Sequence, residues 1–327
     1  MDTSAVVTYL GPRWTRTVEL MQEALRSDID LLNRTNGELF SHRGKMLRPM
    51  LSLLVSGACS AGDVPDESCR YAAAAELLHN ATLLHDDVAD QSSLRRGRPT
   101  VSSILGPNAS VLIGDFWLVK AIEMILDKGV CNDEIIRIFA KTLSDLAEGE
   151  MFQLQKAQTV DTSVDDYYRI IYSKTASLFE ASCVSAAISV GAPLHLREAA
   201  REYGKNLGMA FQIRDDILDY VSDEALGKPV GSDLKEKKVT MPLLAAFSTV
   251  SVREEQEMRL ALKESDAHPQ DLDVLRDFVL RSGGMKKAEQ TLDEFVGQAK
   301  KALEAFPESH EKEFLMQLSD FTASRTI

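Results

Sequence analysis

Apolar residues recur at three- and four-residue spacing through long stretches of this chain. Cys69 to Val88, Asn132 to Gln158, Val164 to Val190 and Leu196 to Val221 all carry the pattern, which predicts long helices. No convincing alternation of apolar and polar residues predicts a strand, and no short internal repeat is present. Most prolines sit at segment ends, where a helix tolerates a residue without an amide hydrogen. Pro49 and Pro242 fall at predicted helix starts, where a fixed φ helps. Ser163 with Asp166 resembles a capping box, with Asp in place of Glu or Gln, and Gly191 suits a C-terminal stop.

The pattern predicts an all-α protein, a single large helical bundle of about ten or more helices. Ile170 to Val190 is apolar nearly all round, which places it at the centre of the bundle or in an oligomer interface. From Ser251 onward the chain is more charged and reads as a peripheral shell.

Composition agrees. The 327 residues read as one domain, 1–327, and a hydrophobic content of 44% allows a substantial core. Aromatics are only 6%, while Ala, Leu, Glu and Lys are plentiful, a balance that favours helix. A net charge of −13 argues against a general nucleic-acid binder. Cys59, Cys69, Cys131 and Cys183 form no CxxC pair and have no His cluster beside them, so they read as buried thiols of a reducing cytoplasm and not as a zinc site. Met1 to Leu10 lacks the basic start of a signal peptide, and no stretch approaches the roughly 20 apolar residues needed to cross a bilayer. The expectation is a soluble cytoplasmic protein, with peripheral contact at a membrane surface left open.

Two acidic clusters change the picture from fold to chemistry. Asp86-Asp87-Val88-Ala89-Asp90 and Asp215-Asp216-Ile217-Leu218-Asp219 share one DDxxD spacing, and each ends an apolar helix. Residues four apart share a helix face, so Asp86 lies beside Asp90 and Asp215 beside Asp219. Like charges so close repel, and carboxylates at a helix C-terminus also oppose the macrodipole. One such cluster reads as a solvated helix end. Two of them call for a cation, and Mg²⁺, with its preference for a few carboxylates plus substrate phosphates, is the natural one.

Basic residues accompany the clusters. Arg95 and Arg96 follow the first, in Leu94-Arg95-Arg96-Gly97-Arg98-Pro99-Thr100. Lys45 and Arg48 lie near a helix start, Lys174-Thr175 interrupts an apolar helix, and Lys228, Lys237 and Lys238 follow the second cluster. His79 sits about two turns before Asp86. Guanidinium forks and ammonium point charges suit phosphate oxygens.

These motifs resemble the trans-prenyl diphosphate synthases, the family of farnesyl, geranylgeranyl and longer polyprenyl diphosphate synthases. The resemblance is carried by GKMLRP from Gly44, ELLHNATLLHDDVAD from Glu76, LRRGRPT from Leu94, GDF from Gly114, EGE from Glu148, KTASLF from Lys174, FQIRDDILDY from Phe211 and GKPVGSDLKEKKVTMPL from Gly227. It implies the isoprenoid synthase type of bundle, with a central substrate cavity and a homodimeric assembly. It also implies roles. Asp86 and Asp90, supported by Asp87, and Asp215, helped by Asp216 and Asp219, would bind three Mg²⁺ ions. Arg95, Lys174 and Lys238 would hold the allylic diphosphate. Lys45, Arg48, His79 and Arg96 would hold isopentenyl diphosphate, and Lys228 adds to the substrate-binding cations. Phe211 and Gln212 would line the reacting centre, with Thr175 near the developing cation. Met46, Arg214 and Lys237 depart from the family pattern; Lys237 stands where a Gly is usual.

The mechanism implied is ionisation of the allylic diphosphate, attack by the isopentenyl double bond, and proton loss to the released diphosphate. The product would grow along the first aspartate helix. Ala81 and Thr82 lie about one turn, roughly 5.4 Å, behind Asp86 and are small where farnesyl synthases carry aromatics. The expectation is therefore a product longer than farnesyl, in the geranylgeranyl to octaprenyl range, with Leu77, Trp117, Met151 or Phe152 as deeper plugs. Farnesyl diphosphate synthase is the alternative. A terpene cyclase shares the bundle and one cluster, but normally lacks the second and the Lys45–Arg48 site. A non-catalytic subunit of a heteromeric synthase tends to lose its aspartates, and this chain keeps all of them. A plain helical scaffold predicts neither magnesium dependence nor diphosphate binding.

Overall fold

In a computed structural model, which describes residues 3–95, 97–127, 132–221 and 231–325, the chain is almost entirely helical. Arg96 and Lys228, read above as substrate-binding, lie outside the described residues, as does Cys131. In chain order the helices are α1 (Thr3–Leu10), α2 (Pro12–Ala24), α3 (Asp30–Ser41), α4 (Leu47–Cys59) and α5 (Asp66–Ala89). After strands β1 (Leu94–Arg95) and β2 (Arg98–Pro99) come α6 (Val101–Leu105), α7 (Pro107–Ile125), α8 (Asp133–Thr159), α9 (Val164–Ile171), α10 (Ser177–Ser189) and α11 (Leu194–Tyr220). The series closes with α12 (Ser232–Lys235), α13 (Met241–Phe247), α14 (Val252–Glu264), α15 (Asp271–Arg281), α16 (Gly284–Ala302) and α17 (His310–Ser324).

One compact unit comprises Met1–Ala140, Glu180–Arg201 and Leu303–Gln317. Its spine is α5. The run Ala72–Ala75 has the highest helix propensity and is fully buried, and Asp66 and Glu67 complement the dipole in the first turn. Helix α5 packs chiefly on α7, and also on α2 and α4. The α5–α7 approach is close because Ser110 Oγ donates to the Leu84 carbonyl (2.8 Å) and because Gly114 leaves room for the His85 ring, which a Cβ there would strike. His85 Nε2 in turn lies 3.2 Å from Asp115 Oδ1, so GDF is a packing motif for the helix that carries the first cluster. The predicted stop at Gly191 is real. With φ at +66°, its amide donates to Ile188, and the Ala192 amide donates to Ala187, a complete Schellman closure.

The other unit comprises Lys141–Phe179, Glu202–Ala302 and Leu318–Ile327. Its core gathers Tyr167, Ile171, Met209, Ile213, Ile217 and Tyr220 with Leu243 and Phe247. The expected capping box holds: the Asp166 amide donates to Ser163 Oγ, and the Ser163 amide donates back to Asp166 Oδ2. The expected peripheral shell does not. Leu262, Leu275, Phe278, Val279, Ala288, Leu292 and Val296 from α14, α15 and α16 are buried in this core. Their charge lies on the opposite faces, so the overall charge of the segment hid its apolar stripe.

Two further features escaped the sequence pattern. Leu94–Arg95 and Arg98–Pro99 pair antiparallel as a minimal hairpin, with Gly97 at φ +74°. Two-residue strands are too short for alternation to register. Tyr172–Ala176 is one π-helical turn between α9 and α10, an irregularity that accumulates at functional sites.

Candidate active site

The first cluster closes α5, with Asp90 as its C-cap. Successive helix residues are rotated by about 100°, so the two leading aspartates face differently. Asp86 is half-buried and Asp90 exposed, whereas Asp87 is only 4% exposed. Arg95, from β1 of the hairpin, donates through Nε to Asp87 Oδ1 at 2.7 Å. Burial pushes the Asp87 carboxyl up, with Arg95 opposing and Asp90 adding to the shift. The hairpin is thereby tied to the helix end, and LRRGRPT is a folded extension of the cluster.

On the same unit, Lys45 is exposed, and Arg48 is buried in the first turn of α4 behind Met46, which caps that helix at φ 51°. His79 is half-buried on α5, and its carbonyl accepts from Thr82 Oγ1 at 2.8 Å. Ala81 is buried and Thr82 half-buried. Of the proposed deeper plugs, Leu77 is fully buried, and Trp117 is buried with its Nε1 donating to Asn36 Oδ1 at 2.8 Å.

The second cluster occupies the last turns of α11, within the second unit. It repeats the division of the first. Asp216 is 4% exposed and accepts from Tyr167 Oη (2.6 Å) and Gln212 Nε2 (2.8 Å). Gln212 Oε1 in turn accepts from Thr175 Oγ1 (2.7 Å), so Thr175, Gln212, Asp216 and Tyr167 form one hydrogen-bonded chain. Burial pushes the Asp216 carboxyl up to about 7; its two donors oppose the shift, while the Asp215 and Asp219 charges reinforce it. Asp219 is turned to the first turn of α12. Its Oδ1 accepts from the Ser232 amide and hydroxyl, and its Oδ2 accepts from the Asp233 amide at 3.0 Å. Asp215 has a side chain 43% exposed, and it pairs with Arg325 Nη2 at 2.8 Å.

Lys174 and Thr175 ride on the π turn. Lys174 Nζ is ion-paired with Glu150 Oε2 of α8. Gly149 makes that approach available, since a Cβ there would fall 2.6 Å from Ser173 Cβ and 3.2 Å from Lys174 Cγ. Gly208 of α11 does the same on another side, where a Cβ would meet Ala176 Cα at 2.5 Å. The EGE motif therefore positions Lys174. Phe211 packs against Phe179, with ring centroids 5.3 Å apart. Met151 is 67% exposed on α8, where it lines an open surface pocket with Phe152, and Phe152 lies under the Arg169 guanidinium at 4.6 Å. Lys238 pairs with Glu236, and its amide donates to the Asp233 carbonyl at 2.8 Å. Lys237, where a Gly is usual in the resembled family, does adopt the left-handed conformation that favours Gly, φ 55°. Its ammonium bonds Asp266 and the Lys263 carbonyl.

Sequence reasoning missed Tyr167, Glu150 and Arg325. EGE contained Glu150 but gave no partner for it, and Tyr167 and Arg325 lie 49 and 110 residues from their aspartates.

The donors suit magnesium. They are carboxylate oxygens only, the hard ligands that this ion prefers. Among the described residues no three His, Cys, Asp or Glu side chains form a closed metal cage.

Comparisons with known proteins agree with this chemistry. The sequence model of the polyprenyl synthetase family matches residues 29–279. The octaprenyl diphosphate synthase of Escherichia coli (strain K12) is 36% identical over 304 residues, 93% of each chain. The geranyl-diphosphate-specific all-trans-nonaprenyl-diphosphate synthase of Rhodobacter capsulatus is 35% identical, over 94% of this chain and 93% of its own. A polyprenyl synthase from Caulobacter crescentus CB15, solved in complex with calcium and isoprenyl diphosphate, superposes with a TM-score of 0.91 at 34% identity, over 100% of this chain and 98% of its own.

Proposed function

This chain belongs to the polyprenyl synthetase family, and from that premise we infer that it condenses isopentenyl diphosphate head to tail with an allylic diphosphate, giving an all-trans product longer than farnesyl. The observation that carries this reading is the doubled cluster. Each DDxxD pins its second aspartate in the protein, on Arg95 or on Tyr167 and Gln212, and leaves its first accessible. The long products in the names of the Escherichia coli and Rhodobacter capsulatus relatives, and the small Ala81 and Thr82, support the length.

Bound divalent cations, taken as three Mg²⁺, supply the charge that stabilises a departing diphosphate. Asp86, Asp90 and Asp215 are the residues that would hold them. Arg95, Lys174 and Lys238 would neutralise the allylic diphosphate, and Lys45, Arg48 and His79 the isopentenyl one. The Thr175–Gln212–Asp216–Tyr167 chain fixes the side chains beside the reacting centre. No protein nucleophile is required.

A homodimer is supported by a stripe along α7 and its C-cap: Leu112, Val119 and Leu126, each seven residues apart, are 68%, 50% and 48% exposed. No helix among the described residues is long and apolar enough to cross a membrane. Cys59, Cys69 and Cys183 are free thiols, which supports a cytoplasmic setting.

Incubating the protein with isopentenyl diphosphate, each allylic starter and Mg²⁺, then sizing the products, tests the reading. A ladder of elongated diphosphates is the expected result. Cyclic hydrocarbon formed without isopentenyl diphosphate points instead to a cyclase, and no turnover points to a non-catalytic subunit.

A further inference from the structure

Asp215, read above as a metal ligand, is already engaged by a cation of the protein's own. Arg325, the residue after α17, is 9% exposed, and its Nη2 lies 2.8 Å from Asp215 Oδ1. The guanidinium has two further attachments. It donates to the Phe211 carbonyl at 2.7 Å, and it lies 3.8 Å from the centroid of the Phe211 ring. The backbone there is fixed as well, because the Arg325 amide donates to the Phe321 carbonyl (2.9 Å) and the Arg325 carbonyl accepts from Arg214 Nε (2.8 Å). Arg214, one of the departures from the resembled family's pattern, thus anchors the segment that presents Arg325.

We propose that Arg325 is a resident counter-cation for Asp215, holding that carboxylate while it carries no metal and giving up the contact when a divalent ion binds there. The proposal rests on the reading of Asp215 as a metal ligand. A divalent ion on either Asp215 oxygen brings two positive charges to about 5 Å from the guanidinium, a strong repulsion in a partly desolvated site. The hydrogen bond and ring contact with Phe211 do not involve Asp215, so the guanidinium has a place to remain after release. The side chain of Asp215 is 43% exposed, which leaves it open to an incoming ion while Arg325 holds it from a buried position. The opposite arrangement, with Arg325 orienting Asp215 beside a bound metal, would make the arginine strengthen metal binding. The two therefore differ in sign.

Mn²⁺ binding to the full chain, followed by electron paramagnetic resonance without substrate, separates them. Arg325→Gln keeps a donor for the Phe211 carbonyl, and Arg325→Met keeps an apolar stem against the ring. Both should bind Mn²⁺ about tenfold more tightly than wild type, the weight of a half-buried ion pair. The gain should vanish when Asp215→Asn is added. In thermal melts, Mg²⁺ should raise the melting temperature of Arg325→Gln more than that of wild type. Equal or weaker Asp215-dependent binding in both neutral variants overturns the proposal and leaves Asp215 a ligand. Binding that Asp215→Asn does not alter in any background overturns both.

Discussion

The Tyr167 hydroxyl donates to Asp216 Oδ2 across 2.6 Å, joining the start of α9 to the end of α11. Removing it leaves a buried carboxylate with one fewer donor. Tyr167→Phe should cost about 1–3 kcal/mol of stability and lower kcat about tenfold with little change in the KM for isopentenyl diphosphate. Urea melts and steady-state kinetics check this. A variant equal to wild type in both would show that the contact is incidental.

The raised Asp216 carboxyl makes the metal-free protein pH-sensitive in a definite direction. Its folded value of about 7 lies above the ordinary 3.8, so between these values the folded state holds the extra proton. Stability contributed by this group is full below pH 4 and declines as pH rises toward 7. In chelator, wild type should lose on the order of 2 kcal/mol between pH 5 and pH 8 relative to Asp216→Asn. Parallel denaturation curves for the two proteins across that range would count against the assignment.

Gly149 sets the distance between α8 and the π turn. Gly149→Ala places a methyl group against Ser173 and Lys174. It should cost about 1–3 kcal/mol and raise the KM for the allylic substrate by shifting Lys174. Glu150→Gln, which adds no bulk, should leave stability within about 1 kcal/mol while still altering that KM. Calorimetry with initial rates distinguishes the two effects.

Ala81 is buried one turn behind the first cluster. Ala81→Phe should shorten the product by at least one isoprene unit, as read by chromatography of the dephosphorylated alcohols. An unchanged product distribution would falsify the idea that the chain grows past this position.

The α7 stripe carries the assembly reading. Leu112→Glu combined with Val119→Glu should convert a dimer to a monomer in light scattering. A wild-type protein that is already monomeric would leave the stripe without this explanation.

The sequence reveals those parts of the molecule that depend on near neighbours. The stretch Cys69 to Val88 predicts the helix found at Asp66–Ala89, because the apolar period is a local signal. The Ser163–Asp166 cap and the Gly191 closure are legible for the same reason. Lys237 could be flagged as standing in a glycine position, and it does carry φ 55°. The π turn at Tyr172–Ala176 is invisible because one wider turn barely disturbs the apolar period. The DDxxD spacing says which carboxylates share a helix face, but not that Asp216 would find Tyr167 or that Asp215 would find Arg325. Those pairs are made by tertiary packing between residues far apart in the chain.

Asp219 bears on how the six aspartates can be probed. Its two oxygens bind the Ser232 and Asp233 amides and the Ser232 hydroxyl, so the carboxylate fastens the start of α12, which leads on to Lys238. An alanine scan would record a loss at every position, yet the losses would have different origins. At Asp219 a freed α12 would displace a lysine, at Asp87 the hairpin would lose its Arg95 tie to α5, and at Asp216 a hydrogen-bonded chain would lose its centre. Uniform phenotypes across such a scan would not establish six equivalent ligands. Isosteric Asn replacements, paired with metal titrations, are the form of the scan that separates coordination from architecture.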